Sequence, residues 1–206
     1  VNVTDYKDPK ELRRYLKYII RKYRNEANIG QVIPFEEEAI LNETNIVSLG
    51  TGALGGKGRG LAFINNLIYN LNFTEIIPSI QIRTPITLII GTDEFDLFME
   101  SNHLNDFIHT CEDYHEVRKT FLESQLSYTL QKKLRSLIKQ MKNPLAIRSS
   151  SLLEDSTTQP FSGVFATYFL PNNHPDLKVR LNQLSEAIKL VYASIFSDNA
   201  RRYFEA

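Results

Sequence analysis

Six of the nine glycines in this 206-residue chain fall between residues 50 and 60. The run reads SLGTGALGGKGRGLAF, with a β-prone segment before it and a helical pattern after it. Glycine accepts left-handed backbone angles and lets another main chain approach where a Cβ would block it. The spacing therefore predicts a strand over Asn45 to Leu49, a glycine-rich loop over Gly50 to Gly60, and a helix over 57–70. Leu61, Ile64, Leu67 and Ile68 would form that helix's apolar face. A strand, a glycine loop and a helix in sequence point to an α/β architecture.

Three chemistries use such loops. Gly50, Gly52 and Gly55 fit a dinucleotide-binding G-x-G-x-x-G. That reading also wants an acidic strand end about 20 residues on, and Glu75 lies instead in an apolar turn region. A P-loop needs glycine five residues before Gly56 and a hydroxyl residue after Lys57, where Thr51 and Gly58 stand. The third reading is a glycine-flanked lysine, Gly55-Gly56-Lys57-Gly58, at a helix start. Backbone N–H groups and the helix dipole favour an anion there. A glycine turn with a solvated lysine is the plain alternative.

A second segment bears on that choice: PLAIRSSSLLEDSTTQPFSGVFAT, Pro144 to Thr167. It reads as a buried strand, Pro144 to Ser149, that delivers Arg148 into the cluster Ser149, Ser150 and Ser151. A second strand follows over Gly163 to Phe169. Arginine offers a fork of donors to phosphate oxygens, and serine hydroxyls add more. Glu154 and Asp155 could assist a metal, although an acidic pair in a polar loop is more often a turn or cap element.

The remaining pattern is helical. Asp8 and Pro9 read as an N-cap and first turn, opening a helix over 9–26 with Leu12, Leu16, Ile19, Ile20 and Tyr23 on one side. Lys and Arg fill its other face. Residues 27–44 read as irregular, and Pro85 to Ile90 as a strand. Thr92 is expected to cap a helix carrying Phe95, Leu97, Phe98 and Met99. Two or three more helices are expected over 103–140. A long one starts near 176, with Leu177, Leu181, Leu184, Ile188, Val191 and Ile195 as its stripe. Phe95, Phe98, Phe107 and Phe121 are core candidates.

Net charge is zero, so no broad electrostatic case exists for nucleic acid or an anionic membrane. No apolar run reaches the length of a membrane span. Cys111 is the only cysteine; a cytoplasmic protein without disulfides is the expectation. His109, Cys111 and His115 are metal-friendly types at a spacing that matches no standard zinc site, so no metal ligand is assigned. The chain begins without methionine, and core-type residues Ala200, Tyr203 and Phe204 continue almost to Ala206. The expectation is a fragment of a longer protein.

The blocks GGKGRGLAF, IRSSSLLEDSTTQPFSGVFATYFLPN and KLVYASIFSDNARRYF together resemble the nucleotide-binding part of the phosphoenolpyruvate synthase and pyruvate phosphate dikinase family. The resemblance covers roughly residues 46–206. It implies the first subdomain of an ATP-grasp-type domain, an α/β (α+β) unit with a mixed sheet flanked by helices. Residues 1–45 would be an N-terminal helix and linker. It implies ATP with Mg²⁺ as cofactors and phosphoryl transfer to a histidine on a separate domain. The partners implied are downstream phosphohistidine and acceptor domains, with the metal ligands also outside this chain. Carried over by position, Lys57 and Arg148 are the catalytic, phosphate-contacting cations. Gly56, Ser149, Gly163 and Thr167 line the nucleotide. The sequence departs from the family after Arg148-Ser149-Ser150, at Ser151-Leu152-Leu153, and at the apolar Val164 and Phe165. A non-catalytic nucleotide-sensing or interaction module on the same fold is the alternative. With half a clasp, the isolated chain is expected to bind ATP weakly and hydrolyse none.

Overall fold

The computed structural model describes residues 8–27, 29–36, 44–71, 73–151 and 163–205. Helix α1 (Pro9–Ala27) starts as its sequence dictates. The Asp8 carboxylate accepts the Glu11 N–H at 2.7 Å, and proline occupies the first helical position, where its missing N–H costs nothing. Among the described residues, neither apolar cluster contains one from α1, and Leu16 and Ile20 of its stripe are exposed.

Three short parallel strands follow in the order β1 (Val32–Pro34), β2 (Ile46–Ser48) and β3 (Thr87–Ile89). Strand β1 lies within the stretch read as irregular; three residues are too few to display an alternation. Ile46 and Val47 are adjacent yet both buried, as expected of a parallel strand covered on both faces. Helices α2 (Gly55–Asn70) and α3 (Phe73–Ile76) lie between β2 and β3 in the chain.

Helix α2 begins two residues before the expected start, inside the glycine cluster. Its inner edge also differs from expectation. Ile64 and Leu67 are exposed, and the buried positions are Gly55, Gly58 and Asn65. Asn65 donates to the Thr44 carbonyl at 3.1 Å and accepts from the Thr84 hydroxyl at 2.6 Å. Small residues and one satisfied amide thus hold the buried positions, and of the expected stripe only Leu61 and Ile68 are half-buried.

The main core is helical. It is built by α4 (Thr92–Ser101), α5 (Leu104–Thr110), α6 (Tyr114–Glu123), α7 (Tyr128–Gln140) and α8 (Leu177–Ser194). Phe98, Val117, Phe121, Leu130, Leu134, Ile138 and Ile188 are buried at its centre, and Phe95 and Phe107 pack against them. Three of these helices are capped by side chains, with Asp113, Ser127 and Asp176 each accepting a first-turn N–H. Thr92 does not cap α4. Gly91 holds the cap position, and the Thr92 hydroxyl accepts from Ala53 instead. A smaller cluster joins Phe165 to Ala200 and Tyr203 of α9 (Asp198–Glu205).

Strands β4 (Leu145–Arg148) and β5 (Thr167–Leu170) form an antiparallel pair, with Arg148 opposite Thr167. Among the described residues this pair is separate from the parallel sheet, so one mixed sheet is not what forms. Nor is β4 a buried strand. Leu145 and Ile147 pack on the helical core, whereas Ala146 and Arg148 are exposed.

Candidate functional site

The two segments singled out by sequence meet at Ser150, two residues beyond Arg148. The Ser150 hydroxyl accepts the Gly58 N–H at 2.8 Å and donates to the Leu54 carbonyl at 2.7 Å. Leu54 precedes α2 and offers no cap hydrogen bond from its own side chain. One hydroxyl, contributed from 92 residues away in sequence, therefore bridges both ends of the helix's first turn. The Gly56 N–H reaches the Ser151 carbonyl at 3.4 Å. Gly55 permits this approach. Its φ is +74°, and a Cβ there would lie 1.3 Å from the Ser150 carbonyl oxygen.

The other side of the glycine loop is fastened to the start of α4. Ala53 and Thr92 exchange two bonds, at 2.9 Å and 3.2 Å. The Thr51 hydroxyl donates to the Asp93 carboxylate at 2.6 Å. Gly91 brings the chains together, since a Cβ on it would sit 1.9 Å from the Thr51 carbonyl oxygen. Lys133 of α7 donates its ammonium to the Leu49 carbonyl, just before the loop. The loop is thus held on both flanks.

Gly56 and Lys57 are the second and third residues of α2, and Lys57 is half-buried. Arg148 ends β4 and is exposed. Thr167 begins β5 directly across from it, so the two share the outer face of the ribbon. Ser149 is buried, and its hydroxyl accepts the Ser151 N–H at 3.1 Å. Gly163 is exposed in the turn before β5, with φ +78°. Glu154 and Asp155 lie outside the described residues.

The charge pattern is unusual for a helix start. Acidic residues are favoured in the first turn because they oppose the positive end of the dipole. Helix α2 has none there, and instead carries Lys57 and, two residues on, Arg59. Local rules are broken in this way where a site needs it, and an anion placed there would relieve the conflict. The sequence named Lys57 and Arg148 as site candidates but did not single out Ser150 as the joint between their segments. A serine triplet gives no hint of which hydroxyl turns toward another helix.

Among the described residues, no group of three or more His, Cys, Asp and Glu could hold a metal ion. His109, Cys111 and His115 belong to the α5–α6 junction, where the Cys111 carbonyl accepts from Arg201 at 2.7 Å. No described helix is long and apolar enough to cross a membrane.

Fold and site together define an α/β module in which a cationic, glycine-lined helix start is bonded to an arginine-bearing strand end. A family model, that of the AMP/ATP-binding domain of pyruvate phosphate dikinase, matches residues 51–206. The chain belongs to this family. No curated protein and no solved structure matches it.

Proposed function

We propose that this chain is the ATP-binding module of a dikinase-type phosphotransferase, similar to phosphoenolpyruvate synthase. In this reading it is the first subdomain of an ATP-grasp-type domain, spanning residues 46–206. The helix and linker of 1–45 are an appendage that lends β1 to the parallel sheet as an edge strand. Lys57 and Arg148 hold the phosphates of ATP while a phosphoryl group passes to a histidine on a separate domain. Gly56, Ser149, Gly163 and Thr167 line the nucleotide. The reading rests above all on one observation, the bonding of the GGKG helix start to the strand end that carries Arg148.

Phosphoryl transfer depends mainly on positioning and on charge stabilisation. This chain's residues supply both. Lys57 places an ammonium at a helix start that lacks any first-turn carboxylate, and Arg148 offers a planar fork of donors from a strand end. The glycine loop that leads into Lys57 is bonded on both flanks, which limits backbone reorganisation at that helix start. When bound, ATP supplies the phosphoryl group, and Mg²⁺ would accompany it through the phosphate oxygens.

Lys57→Ala and Arg148→Ala test the assignment. Each removes a charge-assisted interaction of about 1.5–3 kcal/mol, so ATP affinity should fall roughly ten- to hundred-fold. In the full-length protein, ATP-dependent histidine phosphorylation should be lost in both variants with the fold intact. Wild-type phosphohistidine in either variant would refute the roles. Retained ATP binding with no phosphohistidine in the wild type would favour the nucleotide-sensing alternative.

A further inference from the structure

We infer that Ser150 is a positioning residue for the phosphate grip, setting the spacing between Lys57 and Arg148; this rests on the nucleotide reading above. The hydroxyl has one proton and two lone pairs. The proton goes to the Leu54 carbonyl at 2.7 Å, and a lone pair takes the Gly58 N–H at 2.8 Å. No donor is left for a phosphate oxygen, so Ser150 does not join Ser149 as a candidate ligand.

What Ser150 does is geometric. Leu54 and Gly58 stand four residues apart, the spacing of a helical hydrogen bond. The hydroxyl bridges that pair from outside the helix. It ties the first turn of α2, which carries Lys57, to the extended segment that carries Arg148. Ser150 lies two residues past Arg148 in the chain and bonds the first turn of the helix that holds Lys57. The neighbouring bond from Gly56 N–H to Ser151 is long, at 3.4 Å, and can be exchanged for a phosphate oxygen while the Ser150 joint holds. Gly55 and Gly58 are the buried glycines of α2, and a Cβ on Gly58 would lie 3.2 Å from the Ser150 hydroxyl oxygen. The buried glycines are therefore shaped to the approach of this serine.

The test compares Ser150→Ala, Ser150→Thr, Lys57→Ala and Arg148→Ala in the full chain. Calorimetric titration with ATP and with inorganic tripolyphosphate is run where near-ultraviolet circular dichroism shows every variant fully folded. Ser150→Ala should weaken both ligands about fivefold or more, the loss of roughly one hydrogen bond's worth of positioning. Ser150→Thr, which keeps the hydroxyl, should restore affinity. Amide exchange at Gly58 should be about tenfold faster in Ser150→Ala and near wild type in Ser150→Thr. Wild-type affinity in a fully folded Ser150→Ala, with Lys57→Ala and Arg148→Ala impaired, overturns the positioning role and leaves the nucleotide reading standing. Wild-type affinity in Lys57→Ala and Arg148→Ala overturns the nucleotide reading, and the role built on it, whatever Ser150 does. If Ser150→Ala does not fold, Ser150→Cys, a near-isosteric but weak hydrogen-bonding variant, takes its place in both measurements.

Discussion

Gly55→Ala is the sharpest probe of the way the glycine loop is seated. The added methyl would lie 1.3 Å from the Ser150 carbonyl oxygen, which is backbone and cannot swing aside. Left-handed φ in alanine costs about 1–2 kcal/mol. Relief of the clash requires the helix start to lift off. That breaks the bonds from Gly58 and Gly56 to the serine segment and from Ser150 to Leu54. Each contributes about 0.5–1.5 kcal/mol. The expected loss is about 3–6 kcal/mol, a large part of the 5–15 kcal/mol or so that holds an ordinary domain. Gly60→Ala is the internal control. It lies in the same helix with nothing within 4 Å of its would-be Cβ, and should stabilise by about 0.5–1 kcal/mol through helix propensity. Urea denaturation of both variants, read at a shared m-value, measures the two effects. Gly55→Ala within about 0.5 kcal/mol of wild type, or the two alanines behaving alike, would refute the close approach.

Tyr192 carries a second prediction. Its ring packs on Phe95 and Phe98 at 5.0 and 5.4 Å, while its buried hydroxyl has no hydrogen-bond partner among the described residues. Tyr192→Phe should be neutral or stabilising by about 1 kcal/mol, and a loss beyond that in thermal denaturation would expose a missed partner. Burial, and secondarily the charge of Glu94, push the Tyr192 hydroxyl well above its ordinary pKa. Above about pH 10 the unfolded tyrosine gives up its proton while the folded one keeps it. Stability should fall as pH rises past that point, and less so in Tyr192→Phe; equal alkaline slopes would count against the burial. Phe121→Ala, fully buried beside Phe98 and Phe196, should cost about 3–5 kcal/mol in urea denaturation. The isolated chain should bind ATP no more tightly than the micromolar range and hydrolyse none. Nanomolar affinity in calorimetry would contradict that expectation.

Much of the helical frame was legible because long amphipathic patterns and capping residues are local signals. Asp8-Pro9 opens α1, and the stripe from Leu177 to Val191 runs along α8. Phe98 and Phe121 are in the core as their types required. Strand β1 was not legible, since three residues show no period and its pairing partner β2 is distant in the chain. The apolar face expected of α2 holds only at the half-buried Leu61 and Ile68, and fails at Ile64 and Leu67 for a different reason. Glycines carry no hydropathy signal, yet they let α2 approach its neighbours more closely than Ile64 or Leu67 could. At the site, Lys57 and Arg148 announced themselves by charge among glycines and serines. Their connection through Ser150 spans 92 residues and is a tertiary fact. No spacing rule in one sequence encodes it.

The buried amide of Asn65 carries a consequence of its own. A helix with Phe63, Ile64 and Leu67 turned to the outside has two ways to lie. Hydrophobic burial alone would rotate those residues inward. Asn65 blocks that rotation, because its two bonds to Thr44 and Thr84 exist at only one angular setting. It acts as a key in a slot, fixing the azimuth of the helix. The glycine edge then meets Ser150 by alignment at the far end of the same rod. A leucine in place of Asn65 would remove the key, and the first turn of α2 would lose its aim although nothing near Lys57 had been changed.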